Sequence, residues 1–108
     1  MKSLGRGAIA TTPGTTLYTV PTGYKCDVQD MLICNTASSA VTFSVYFVPS
    51  CGSASTSNAV FYTAPIAAYE TVHWEGLQTL NNGDFIKAIG SASGITMNVS
   101  GTEYRDKV

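Results

Sequence analysis

Charge is scarce in this sequence. Of its 108 residues only 12% are Asp, Glu, Lys or Arg, about half the share usual in soluble domains. The net charge is −1, and neutralising a phosphate backbone takes clustered Lys and Arg, so direct nucleic-acid binding is not expected. Lys2 with Arg6 and Arg105 with Lys107 are the nearest approach to a basic cluster. Cysteines number three, Cys26, Cys34 and Cys51, with no C-x-x-C and no histidine at metal spacing. Cys26 and Cys34 would stand about 26 Å apart on one continuous strand and so cannot bridge; buried, apolar thiols are expected instead. No apolar run approaches the length of a membrane span. Met1–Arg6 lacks the apolar stretch of a signal peptide, so synthesis in a cytoplasm and no membrane contact are expected.

What fills the polar positions is Thr, Ser and Asn, and the pattern around them is that of strands. Val41, Phe43, Val45 and Phe47 alternate with Thr42, Ser44 and Tyr46, the period of two of a strand with one face on a core. Ile95, Met97 and Val99 repeat it, Ile86 and Ala88 give a shorter inward row, and Val72 and Trp74 face the core from Glu70–Glu75. Cys26, Val28, Leu32 and Cys34 read as one face of a further strand on which Asp30 is out of place; a bulge near Gln29 or Asp30, or a bend that turns Asp30 outward, accounts for it. Turns fall at Pro13-Gly14, Pro21-Thr22-Gly23, Pro49–Gly52 and Asn81–Asp84, each combining a residue of restricted or left-handed backbone with one that bonds locally. A hairpin through Gly90–Gly94 is expected to join the last two strands. The patch from Ser50 to Asn58 is a surface loop. No repeat, linker or convincing helix interrupts this series, which predicts one all-β domain, an antiparallel β-sandwich or jelly-roll-like fold, large enough to bury roughly 60–70% of its unfolded surface.

Residues capable of chemistry are few and scattered. His73 has no Cys, Asp or Glu at a spacing that completes a metal site or a nucleophile–base pair, and Glu70 and Glu75, five apart on a strand, point to opposite faces. Asp84 with Asp27 or Asp30 would hold calcium only if distant turns converged; a carboxylate accepting backbone hydrogen bonds within its own turn is simpler. Asn98-Val99-Ser100 is formally a glycosylation sequon, yet mid-strand. Trp74 with Tyr18, Tyr24, Tyr46, Tyr62 and Tyr69 offers either a glycan-stacking platform or ordinary core and interface aromatics. The expectation is therefore no catalytic residue, no metal and no cofactor.

Four segments together resemble small virion proteins of tailed bacteriophages: Leu17-Tyr18-Thr19-Val20-Pro21, an apolar strand closing on Asn35-Thr36, Leu80-Asn81-Asn82-Gly83-Asp84-Phe85-Ile86, and Val99-Ser100-Gly101-Thr102-Glu103. The resemblance spans roughly Leu17 to Glu103 and implies a β-sandwich subunit acting in several copies, often a trimer, on the particle. The function it implies is capsid decoration: a cement protein that bridges subunits of the major capsid protein and stabilises the head without any reaction. The alternative it implies is a tail, baseplate or fibre module that recognises a host glycan or surface protein. On this reading residues 1–16 form an extended N-terminal arm and 17–108 the sandwich. Phe43, Val45, Phe47, Val72, Trp74, Ile86, Met97, Val99 and Cys34 build the core. Leu4, Arg6 and Ile9 from the arm, with Thr42, Tyr46 and Tyr62, meet partners.

Overall fold

The structure, a computed structural model, describes residues 2–11 and 14–105; Pro13 of the first predicted turn and Lys107 lie outside them. Eight strands follow in order: β1 Lys2–Ala8, β2 Thr15–Thr19, β3 Tyr24–Asn35, β4 Val41–Val48, β5 Ala59–Ile66, β6 Thr71–Leu80, β7 Phe85–Gly90 and β8 Ile95–Arg105. They form two four-stranded antiparallel sheets, β1-β8-β3-β6 and β2-β7-β4-β5. The pairs β1–β8, β2–β7, β3–β6 and β4–β5 alternate between the sheets, the order produced by rolling up one long hairpin. The fold is thus an all-β sandwich with a jelly-roll-like strand order.

The alternating rows predicted from sequence supply its core. Phe43, Val45, Ile86, Ala88, Ile95, Met97 and Val99 are buried, and Phe47, Val72 and Trp74 pack half-buried against them. In β3 the bulge lies between Val28 and Asp30 in both of its ladders. An extra residue reverses the alternation beyond it, so Met31 and Ile33 are buried while Leu32 is exposed and Cys34 half-exposed. The expected inward row holds for Cys26 and Val28 and fails for Leu32 and Cys34 for that reason.

The segments singled out in the sequence are the fastenings at the ends of the sandwich. Val20 and the Asn81–Asp84 turn exchange backbone hydrogen bonds, Val20 N to Asp84 O at 2.9 Å and Gly83 N to Val20 O at 3.1 Å. The Asp84 carboxylate accepts from Asn81 N at 2.8 Å and Ser50 N at 2.9 Å, as the simpler reading of that residue required. At the other end the buried Asn35 amide donates to Ser39 O at 2.9 Å and Ala67 O at 3.1 Å, and its Oδ1 accepts from Ala37 N at 3.0 Å.

Two expectations are corrected. Residues 90–94 do not close a hairpin: β7 and β8 belong to different sheets, and the connection crosses between them, held by Ser91 N to Thr42 O and Thr36 N to Gly94 O. The segment assigned to a separate arm is extended but not separate. Lys2–Ala8 pairs along β8, and Leu4 and Ile9 are buried in the common core, because their apolar side chains gain more inside the sandwich than in water.

Candidate functional site

The two lateral sides of the sandwich differ. On one side β1 and β2 close together: Gly5 comes so near the Leu17 carbonyl that a Cβ there would sit 2.5 Å from its oxygen. A hydrogen bond from the Tyr18 hydroxyl to Glu103 Oε2 at 2.5 Å joins the sheets here, and Lys2 Nζ lies 3.2 Å from the other carboxylate oxygen. Burial, then the bond to Glu103, pushes the Tyr18 hydroxyl far above its ordinary range, so it stays protonated and donates. The bond from Tyr18 in turn holds the Glu103 carboxyl below its usual value. Cys26, beside them, is buried, and desolvation raises its thiol.

On the other side the sheets stand open. Edge strands β5 and β6 flank a cleft of about 430 Å3 lined by Phe47, Asn58, Val60, Trp74 and Gln78 among others. Phe47 and Trp74 meet edge-to-face across the sheets with ring centroids 6.1 Å apart, holding them apart with two rings where β1 and β2 have a glycine. The Trp74 ring lies over Gly76, whose missing Cβ would be 3.2 Å from it.

The three most exposed large apolar side chains among the described residues belong to β5, β6 and the turn between them. Tyr69 is 70% exposed, Leu77 66% and Tyr62 58%, and all three come from the continuous stretch β5, turn, β6. Tyr69 and Thr63 in the same stretch hold left-handed backbone, φ 60° and 45°, a conformation that disfavours side chains and most of all β-branched ones. Thr63 is held there by its N–H donating to Ser44 Oγ at 2.9 Å. Residues 59–80 contain no Lys or Arg. Edge strands are normally blunted by lysine, proline or bulges; β5 has Pro65 and register shifts, whereas ten-residue β6 has only the irregularity opposite Gln29.

Of the residues expected to meet partners, the structure leaves Arg6 and Tyr62 exposed and Thr42 half-buried. Leu4, Ile9 and Tyr46 are corrected: they are 9%, 3% and 7% exposed within the chain itself. Tyr46 does alternate away from Val45, but β4 is an inner strand, and Lys87 and Ala59 flank Tyr46 on its neighbours. Tyr69 entered the sequence reading only as one of the aromatics, and Leu77 was missed, because an isolated apolar residue in a strand looks like core until the register is known. Of the thiols only Cys26 is buried; Cys51 is exposed. Tyr18 and Trp74 lie on opposite sides of the sandwich, so the aromatics form no single platform.

On the outer face of the first sheet, His73 Nε2 lies 2.9 Å from Asp30 Oδ1, with Glu75 alongside. The spacing along the chain hid this group because Asp30 comes from β3. Among the described residues no serine, threonine or cysteine side chain hydrogen-bonds to His73. Compared with family models, curated proteins and solved structures, the chain matches none.

Proposed function

We propose that this chain is a non-enzymatic structural protein of a virus particle, a decoration or cement protein that works as a homo-oligomer, in the simplest case a trimer, and bridges subunits of the major capsid protein. It is made in the host cytoplasm and resides in the virion. The observation that carries this reading is the open β5–β6 side, where Tyr62, Tyr69 and Leu77 stand exposed beside a little-protected edge strand. Such a surface gains by being covered, and with 12% charged residues the chain has little like-charge repulsion to oppose association. The resemblance of the turn segments to phage virion proteins supplies the particle; the fastenings those segments make supply a rigid module on which to present the surface.

Solution mass by light scattering, followed by co-sedimentation with capsids assembled without the protein, tests the proposal. An oligomer that pellets with capsids supports it; a monomer that stays in the supernatant sinks it. A second reading has its own observation: the Trp74 cleft, with Gln78 as an amide partner, suits a tail or fibre module that binds a host glycan. That reading predicts binding of the isolated protein to cells or sugars and none to capsids.

A further inference from the structure

We propose that Asp30, His73 and Glu75 form a binding site for a divalent transition-metal cation, with Zn2+ the best matched. His73 and Glu75 stand two residues apart on β6 and so share a face, and Asp30 on β3 is the register partner of Glu75. One imidazole nitrogen and two carboxylate oxygens lie within 4.8 Å of one another. His73 Nε2 and Asp30 Oδ1 are in direct contact at 2.9 Å, and an opening of about 0.5 Å gives the roughly 3.4 Å that separates two ligands on a tetrahedral ion at about 2.1 Å each. The Glu75 carboxylate has to move inward as well, and it is exposed and engaged in no hydrogen bond with the described residues.

The bulge at Gln29 carries the argument further. From Cys26 and Val28 the uninterrupted alternation would turn residue 30 into the core; the extra residue aims Asp30 outward instead, onto the face that holds His73 and Glu75. Bulges recur where a side chain is re-aimed for function. The outcome sets two carboxylates directly opposite each other, which is destabilising on a sheet without a cation between them. Arg6, on β1, stands two strands from Asp30 and three from Glu75, roughly 10 and 15 Å across the sheet. An imidazole donor with two carboxylates suits zinc and its neighbours, whereas Ca2+ and Mg2+ take oxygen ligands alone. Bound there, the ion ties edge strand β6 to inner strand β3 and leaves a tetrahedral fourth position to water.

The test uses chelator-stripped full-length protein carrying Cys51→Ser, which removes the exposed thiol as a competing ligand, titrated with Zn2+ by calorimetry. The expected result is one Zn2+ per chain, no saturation by Mg2+ or Ca2+, a shift of the His73 ring resonances on Zn2+ addition, and loss of binding in His73→Ala. Glu75→Gln decides between a metal site and a plain His–Asp ion pair, because Glu75 takes no part in that pair; it should weaken Zn2+ at least about tenfold. Circular dichroism verifies that both surface variants stay folded. No saturable binding below about 1 mM Zn2+, binding that survives His73→Ala, or binding untouched by Glu75→Gln each overturns the proposal.

Discussion

Tyr18 and Glu103 join the two sheets by a single short hydrogen bond, a phenol on β2 donating to a carboxylate on β8. The fold lowers the Glu103 pKa from its ordinary 4.5, first through that bond and then through Lys2, against an opposing effect of desolvation. A carboxyl whose folded pKa is depressed contributes stability that is present above the unfolded value and lost as pH falls through the folded one. Tyr18→Phe should therefore cost about 1 to 2 kcal/mol at pH 7. The gap between wild type and variant should narrow as pH is lowered below about 4.5, as read by urea unfolding across pH 3 to 7.

At Gly101 β8 leaves no room for a side chain against β3. A Cβ at this position would overlap the Asp27 carbonyl oxygen and lie 3.0 Å from Leu4 Cδ1, immediately before the bulge that aims Asp30. Backbone cannot yield as a flexible side chain can, so Gly101→Ala should destabilise by about 3 kcal/mol and lower Tm by on the order of 10 °C. Thermal unfolding checks this, and an unchanged Tm would mean that the two strands are free to separate.

The three thiols should react in a fixed order. Cys51 is exposed, Cys34 half-exposed and Cys26 buried with its pKa raised by desolvation, and the thiolate is the reacting form. With a chromogenic disulfide at pH 8, one thiol per chain should react at once, a second slowly and the third only in denaturant.

The alternation of β4 and β8 was legible because each runs without interruption: Phe43 and Val45, like Met97 and Val99, need only the period of two to be placed. β3 was not legible past Gln29, since one extra residue exchanges the faces of Leu32 and Cys34 for those of Met31 and Ile33, and sequence signals the bulge only by the misplaced Asp30. Nor does a strand pattern say which sheet a strand joins. For this reason Gly90–Gly94 looked like a hairpin when it is a crossing, and the glycine-rich start of the chain looked like an arm when it is the edge strand β1. The exposed stretch Tyr62, Tyr69 and Leu77 and the group Asp30, His73 and Glu75 both depend on register between strands far apart in the chain, which local periodicity does not encode.

Tyr62 and Leu77 test whether the open side works as an interface, because each is more than half exposed and surface substitutions of this kind usually change folding stability by less than about 0.5 kcal/mol. The direct measurement is co-sedimentation of the wild type and the double variant Tyr62→Ser/Leu77→Ser with capsids assembled without the protein, both first shown to unfold at the same temperature. The account predicts that wild type pellets with the capsids and the variant remains in the supernatant. Equal pelleting of the two, or a wild type that ignores capsids altogether, would contradict it.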